Sequence, residues 1–153
     1  MTTTQEELIE RVGIYFEKEA KLQPIAGRIM ALLLVADQTE LTFDEIQERL
    51  QISKGATSLA LNLLMRMEMV EYVTKPGDRK RYFRNRLKQW REQMKQKHET
   101  MAKVKHLLKE ILAIRPVETV EFNNKLAELI DFMEFMDREI PLLVQRWEKQ
   151  RFG

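Results

Sequence analysis

The hydrophobic positions at the start of the chain recur at helical spacing and predict a first amphipathic helix. Thr4 and Glu7 form a Ser/Thr-x-x-Glu capping box, the signature of a helix N-terminus. The apolar face that this spacing predicts carries Leu8, Val12 and Tyr15 or Phe16.

A second helix is expected from Pro24, because proline suits the first turn of a helix, where its missing N–H is not needed. The segment PIAGRIMALLLVAD is apolar nearly all round, so it predicts the buried centre of a domain. Gly27 weakens this helix by itself but allows a neighbouring helix to approach closely.

Residues 42–67 carry the signals of two short helices joined by a tight turn. Thr42 and Glu45 form another capping box, and the apolar residues that follow lie on one helix face. Gln51-Ile52 interrupts this helix, and Ser53 is a suitable N-cap for a second helix that ends at about residue 67. Two helices so joined form a helix-turn-helix. The buried residues expected in its second helix are Ala56, Ala60, Leu61, Leu64 and Met67.

The pattern then changes to that of a β-hairpin. VEYVTK and RYFR are rich in β-branched and aromatic residues, and Pro76-Gly77-Asp78 between them is a turn signal. Leu41 is expected to add a short third strand. The hairpin carries Lys75, Arg79, Lys80 and Arg81 around its tip.

The C-terminal half predicts two long helices separated by a break at Arg115-Pro116. The first covers about residues 85–113 and contains neither glycine nor proline. The second covers about residues 117–151, and Pro141 inside it should kink or split that helix near Ile140.

Both long helices carry apolar residues at alternating spacings of four and three, the pattern of a coiled coil. Such a repeat forms either a dimer interface or an antiparallel hairpin within one chain. We expect a homodimer, because the small N-terminal domain offers the repeats little other cover. The residues expected at the dimer interface are Leu87, Trp90, Met94, Met101, Leu126, Leu129, Met133, Met136, Ile140 and Leu143.

The charged residues are unevenly distributed along the chain. The net charge is only +2, yet 13 Lys/Arg and 3 Asp/Glu lie between Lys75 and Lys109. This asymmetry indicates an anionic partner on one side of the molecule, although a solvated basic helix face explains the charge run about equally well.

Several classes of site and location are disfavoured. The chain has no cysteine, which excludes disulfides and cysteine-based zinc sites. The polar start MTTTQEELIERVG does not resemble a signal peptide, and the longest apolar run, residues 29–36, is too short to span a bilayer. We therefore expect a cytoplasmic protein of one domain, with or without a helical extension.

The second helix of the helix-turn-helix presents side chains suited to reading duplex DNA. Asn makes bidentate contacts with adenine and Arg with guanine in the major groove. Gly55 lets the helix N-terminus, with its free N–H groups, approach a phosphate. Leu63 is expected in the core, while Leu59 is either core or a contact for thymine methyl groups. The DNA-contacting residues predicted on this helix are Ser53, Lys54, Gly55, Thr57, Ser58, Asn62 and Arg66.

The basic hairpin has a separate predicted role. Its four cations can neutralise phosphates, and one arginine suits the narrow, strongly negative minor groove of an A-tract. A helix-turn-helix followed by a basic hairpin is a far more specific indicator of DNA binding than either part alone.

Together these parts resemble a winged helix-turn-helix of the MarR superfamily, with most similarity to its GbsR branch. The residues that carry the resemblance are Ser53-Lys54-Gly55, Ser58, Leu61 and Leu64 in the helix, and Gly77-Asp78-Arg79-Lys80 with Tyr82-Phe83 in the hairpin. The resemblance implies a homodimeric transcriptional regulator, with Lys54, Ser58 and Asn62 near the major groove and Arg79 in the wing. It also implies that a small-molecule effector is sensed.

Other functions are weighed against this one. The chain has no Gly-rich phosphate loop and no HExxH motif, and His98 and His106 are too far apart on one helix to share a metal. We therefore expect no enzyme, no cofactor and no metal. The alternative is a protein-interaction module that uses the winged helix and coiled-coil arm for assembly. An RNA-binding role is weaker, because the presenting helix has no aromatic stacking residue.

The sequence thus predicts a mainly α fold with a small β-hairpin wing. The expected parts are an N-terminal helix packed on the dimerisation arm (1–23), a winged helix-turn-helix domain (24–84) and a helical dimerisation arm (85–153). The expected function is a sequence-specific regulator of transcription, a repressor more than an activator, whose two recognition helices read an inverted repeat. A ligand that favours the wrong spacing of those helices would lower operator affinity.

Overall fold

The computed structural model describes all 153 residues, which divide into two compact units, Met1–Lys88 and Gln89–Gly153. The first unit contains α1 (Thr3–Lys18), α2 (Pro24–Val35), β1 (Leu41–Thr42), α3 (Phe43–Leu50), α4 (Lys54–Arg66), β2 (Val70–Thr74) and β3 (Arg81–Asn85). The second contains α5 (Trp90–Ile114) and α6 (Val120–Phe152). The fold is mainly helical with one small antiparallel sheet, as the sequence predicted. None of the helices combines the length and the apolar character that crossing a membrane requires.

Helix α2 is the centre of the first unit. Proline occupies its first turn, and Ile29 and Leu32 are completely buried among residues of α1, α3, α4 and the sheet. Burial of such a side chain contributes about 1.5–3 kcal/mol relative to leaving it exposed. The prediction of a central helix is therefore confirmed.

Helices α1 and α2 cross closely at a pair of glycines. A Cβ atom added to Gly27 would lie 2.9 Å from the carbonyl oxygen of Gly13, closer than real side chains come. Arg28 then donates hydrogen bonds of 2.9, 3.1 and 2.9 Å to the Glu10 carboxylate, and these bonds lower the pKa of that carboxyl. The expected close approach at Gly27 is confirmed.

The predicted details of α1 are wrong in two respects. The capping box is formed by Thr2 and Gln5, two residues before the predicted Thr4–Glu7 pair. Of the predicted apolar face, Val12 and Phe16 pack against the core as expected, but Leu8 and Tyr15 are exposed and Ile9 is buried instead. Two registers of apolar residues run along this helix, and the crossing at Gly27 selects the one that faces α2.

The helix-turn-helix begins and ends where its caps predict. The Thr42 hydroxyl accepts from the Glu45 amide at 3.3 Å, and the Glu45 carboxylate accepts from the Thr42 amide at 2.7 Å, which lowers the pKa of Glu45. Gln51 ends α3 in the left-handed conformation, with φ of 52°. The Ser53 hydroxyl then accepts from the Ala56 amide at 3.2 Å and starts α4.

The sheet has the strand order β1-β3-β2, with both pairs antiparallel. Phe83 of β3 pairs with Leu41 on one side and with Tyr72 on the other, so the predicted short third strand is confirmed. Gly77 in the turn between β2 and β3 has φ of +78°, a conformation that glycine adopts without strain.

The second unit is an antiparallel helical hairpin. Leu126, Ile130 and Met133 of α6 are buried against α5. Helix α5 begins at Trp90 and not near Asn85, because Asn85 ends β3 and its amide group donates to the Leu33 carbonyl at 2.9 Å.

Of the kink or split predicted near Ile140 in the second long helix, the split is absent. Helix α6 continues through Pro141 to Phe152, and the proline removes one backbone donor without ending the helix.

Candidate nucleic-acid interface

One face of α4 is turned away from the core and is mostly polar. Gly55, Ser58, Asn62 and Arg66 are exposed and lie three or four residues apart, so they share this outward side of the helix. We call these four residues the recognition face. Ser53 and Lys54 are exposed at the helix N-terminus beside it. The structure therefore brings six of the seven predicted residues of this helix to one accessible surface.

Thr57 is the exception, and its prediction as a DNA contact is wrong. Its side chain is 0% exposed, and its hydroxyl donates to the Ser53 carbonyl at 2.9 Å inside the first turn. Thr57 faces the core together with Leu61 and Leu64 because residues 57, 61 and 64 recur at helical spacing. Conversely Met67, expected in the core, is exposed at the end of the helix.

Leu59 lies on the exposed side of α4, next to the recognition face. Its side chain is 60% exposed, whereas Leu63 on the same helix is half-buried against the core. The sequence alone did not decide whether Leu59 lies in the core or at the surface, because a leucine at helical spacing suits either location. The structure assigns it to the surface.

The β2–β3 hairpin, here called the wing, is held rigid at its turn by Asp78. The Asp78 carboxylate accepts from the Tyr82 hydroxyl at 2.6 Å and from the Lys80 amide at 2.9 Å. These bonds lower the pKa of Asp78, and the first of them raises the pKa of the Tyr82 phenol. The sequence placed Asp78 in the turn and among the residues of the family resemblance, but its bond to Tyr82 depends on the strand pairing.

The four predicted cations of the wing differ in their surroundings. Lys75 forms an ion pair with Glu40 at 3.2 Å and lies 3.9 Å from the centre of the Tyr82 ring. Arg81 stacks over Tyr72 at 4.6 Å. The side chains of Arg79 and Lys80 form no ion pair and are exposed at the tip. Arg79 and Lys80 are therefore the cations most available to an anionic partner.

A groove connects the recognition face with the wing. It has a volume of about 350 Å³, and cationic and amide side chains line its rim while apolar side chains line its floor. Its lining residues are Phe43, Ser58, Leu61, Asn62, Met65, Arg79, Arg81 and Phe83. An extended anion along this groove would meet α4 and the wing at the same time.

The residues predicted for a dimer interface fall into three groups by their exposure in the single chain. Leu126 and Met133 are buried within the hairpin, which is the alternative that the heptads left open. Met136 and Ile140 are half-buried. The exposed remainder comprises Leu87, Trp90, Met94, Met101, Leu129 and Leu143.

The basic excess of α5 is partly neutralised inside the second unit. Lys105 pairs with Asp137 and Lys109 with Glu134, while Arg91 lies 3.8 Å from Glu148. The bond from Lys105 lowers the pKa of Asp137. Part of the positive charge that the sequence assigned to an anionic partner is therefore used to hold the hairpin together.

No group of three or more histidine, cysteine, aspartate or glutamate side chains is arranged to hold a metal ion. His98 has Asp137 as a neighbour at 3.7 Å, and His106 lies elsewhere on α5.

Two family models match adjacent parts of the chain. Residues 22–81 match the MarR family, and residues 88–150 match the MmpR5-like MarR family transcriptional regulators. The first match covers the helix-turn-helix and most of the wing, and the second covers α5 and most of α6.

Individual relatives agree over nearly the whole chain. The HTH-type transcriptional regulator MmpR5 of Mycobacterium tuberculosis strain H37Rv is 27% identical over 147 residues, which cover 96% of this chain and 88% of the relative. A crystal structure of a transcriptional regulator is 26% identical with a TM-score of 0.72 and covers 95% of this chain and 99% of that chain.

Proposed function

This chain belongs to the MarR family of transcriptional regulators, which bind DNA, and we propose that it reads a duplex operator with α4 and the wing. Asn62 and Arg66 would contact base edges in the major groove, and Ser58 and Lys54 would contact the bases or phosphates beside them. The observation that carries this proposal is the groove of Ser58, Asn62, Arg79 and Arg81, which joins the helix to the wing.

The wing would supply the part of the affinity that does not depend on sequence. The side chains of Arg79 and Lys80 form no ion pair, although Lys80 has Glu45 and Asp78 as acidic neighbours, so a phosphate could pair with either cation without breaking an existing ion pair. Lys75 would first have to leave Glu40, which makes it a weaker phosphate contact than the sequence suggested.

We further propose that the protein is a homodimeric repressor that reads an inverted repeat. Support comes from an apolar strip on the second unit that α5 and α6 leave uncovered. By helical spacing, its residues lie on the same side of the hairpin. Its exposed members are Met101, Val104 and Ile111 of α5 with Leu129, Phe132 and Leu143 of α6, and half-buried Met136 lies among them. The predicted packing of α1 on the dimerisation arm belongs to this proposal.

The finer assignments rest on the sequence. The motifs in α4 and the wing favour the GbsR branch, while the matched model for residues 88–150 is described as MmpR5-like. We propose a small-molecule effector of unknown identity, a cytoplasmic location and no enzymatic activity, as expected of a transcriptional regulator.

Selection of bound sequences from a pool of random duplexes tests the proposal. The full-length protein should enrich a palindromic consensus whose half-sites are centred about 34 Å apart, one turn of the double helix. A matched selection with the Asn62→Ala, Arg66→Ala double variant should lose bases of that consensus. Recovery of no enriched duplex would contradict the proposed DNA-reading function.

A further inference from the structure

We propose that Leu59 is a specificity-determining residue whose side chain contacts the C5-methyl group of a thymine in each half-site. The inference rests on the proposed DNA-reading function and adds an apolar contact to it. Leu59 is 60% exposed on α4, the helix that carries the recognition face.

The position of Leu59 on the helix is the first argument. Gly55, Leu59, Asn62 and Arg66 follow one another at spacings of four, three and four, and all are exposed. The buried residues Thr57, Leu61 and Leu64 recur on the opposite side of α4. Leu59 therefore shares the outward side of α4 with a position that has no side chain and with two polar side chains.

Gly55 leaves space on the N-terminal side of Leu59. Helical side chains lean toward the helix N-terminus, so the surface ahead of Leu59 is the turn that contains Gly55. A Cβ atom added to Gly55 would have no heavy atom within 4 Å, which shows that this turn is open. A base edge could therefore approach the Leu59 side chain without displacing another protein group.

The charge around Leu59 indicates which kind of molecule would contact this side chain. Single exposed leucines are common and need no partner. Leu59, however, shares its surface with the cations Lys54 and Arg66, while the free cations Arg79 and Lys80 lie at the wing tip of the same unit. Such a surface attracts a polyanion, and the thymine methyl is the apolar group that duplex DNA presents in the major groove.

The chemistry predicts which base is read. Leucine offers no hydrogen-bond donor or acceptor, so it gains little from guanine, adenine or cytosine edges. Burial of one methyl group against it is worth about a fourfold change in affinity, from roughly 0.8 kcal/mol for each buried carbon. Leu59 should therefore favour thymine at one position of each half-site by about that factor.

Replacement of single thymines by deoxyuridine tests this contact, because it removes only the methyl group. Each thymine of the selected consensus duplex is replaced in turn, and the dissociation constant is measured by fluorescence anisotropy at one salt concentration. At one position of each half-site, the wild-type protein should bind about fourfold more weakly without the methyl group. Leu59→Ala should bind both forms of that duplex equally.

Matched controls separate a local contact from a general effect. Leu34→Ala changes another exposed leucine of the first unit, outside α4, and should keep the fourfold difference. Leu59→Met retains an apolar side chain and should keep part of it. Circular dichroism on heating should give similar midpoints for all three variants, because none of these side chains is buried.

The outcomes distinguish the inference from the function on which it depends. If the selection enriches a duplex but wild type and Leu59→Ala show identical deoxyuridine penalties at every position, Leu59 reads no methyl group and only this inference is overturned. If no duplex is enriched, the DNA-reading function itself is overturned, and the Leu59 contact with it. If Leu59→Ala loses the deoxyuridine penalty while wild type and Leu34→Ala keep it, the result supports both the DNA-reading function and the Leu59 contact.

Discussion

The two units of this protein differ in how many of their apolar side chains they bury. The first unit gathers residues of α1, α2, α3, α4 and the sheet into one core around α2. The second unit buries only Leu126, Ile130 and Met133, and no residue of α5 is fully buried. A two-helix hairpin has too little depth to enclose its own apolar residues, so most of those of the second unit stay exposed in the single chain.

The surfaces that remain open also differ in chemistry. The first unit leaves polar and cationic groups free at α4 and at the wing tip, which suits an anionic partner. The second unit leaves the apolar strip, while Lys105 and Lys109 are occupied by acidic residues of α6. This contrast supports the proposals that the first unit binds DNA and that the second unit associates with a second copy of the chain.

The largest effect is expected from charges placed in the apolar strip. Leu129→Glu combined with Met136→Glu should weaken dimerisation at least a thousandfold, since burying each unpaired carboxylate costs upwards of roughly 2 kcal/mol. Sedimentation velocity should then show monomers. Asn124→Glu with Gln145→Glu adds the same charge on another side of α6 and should leave the dimer intact. A persisting dimer in the first variant would place the interface elsewhere.

The next largest effect is a difference in the free energy of unfolding between substitutions at two leucines of α4. Leu64→Ala should lower the free energy of unfolding by about 2–5 kcal/mol, because Leu64 is completely buried and its truncation leaves a cavity. Leu59→Ala should change it by less than about 0.5 kcal/mol, since that side chain is exposed. Urea unfolding followed by circular dichroism measures both. Equal losses would mean that Leu59 contributes to the core.

The free cations of the wing should control the salt dependence of DNA binding. Arg79→Ala with Lys80→Ala should weaken binding to all duplexes and lower the slope of log K against log salt by about 1.8 per protomer, from roughly 0.9 per phosphate. Lys75→Ala is the internal comparison, and it should change the slope less because Lys75 pairs with Glu40. A slope that stays constant in the double variant would exclude the phosphate role.

Asn62 should affect sequence preference more than general affinity. Asn62→Ala should cost about 1–3 kcal/mol at one base pair of each half-site and little on duplexes without the consensus. Competition binding with single-base variants of the operator measures this difference. An unchanged preference profile would mean that Asn62 reads no base.

The smallest effect concerns acid stability of the hairpin. The bond from Lys105, assisted by His98 at 3.7 Å, holds the pKa of Asp137 below its ordinary value. A lowered folded pKa gives stability above the unfolded value near 3.8, and that stability is lost as pH falls through the folded pKa. Asp137→Asn should therefore destabilise the protein at pH 7, and thermal unfolding should show this effect shrinking progressively as the pH is lowered below 3.8. A destabilisation that is independent of pH would show a steric cause.

Local signals predicted the recognition elements well. Thr42 and Glu45, Ser53, and the Pro76-Gly77-Asp78 turn act through hydrogen bonds and backbone angles within a few residues. Such interactions depend little on the rest of the fold, so the boundaries of α3, α4 and the wing follow from the sequence.

The errors arose where two apolar registers compete. Ile9 and not Leu8 is buried in α1, and Thr57 and not Met67 is buried in α4. In each helix the spacing allows either register, and the packing partner decides between them. Thr57 was the harder case, because its hydroxyl is satisfied by the Ser53 carbonyl and so tolerates burial.

By itself, the sequence determined the order of the elements, the N-caps of α3 and α4 and the hairpin turn. Only the tertiary structure decided that Thr57 is buried, that Leu59 is exposed, and that Lys75 is paired while Arg79 and Lys80 are free. It also decided that part of the heptad repeat is used within the chain. The physical reason is that caps and turns are local interactions, whereas burial and ion pairing depend on distant segments that only folding brings together.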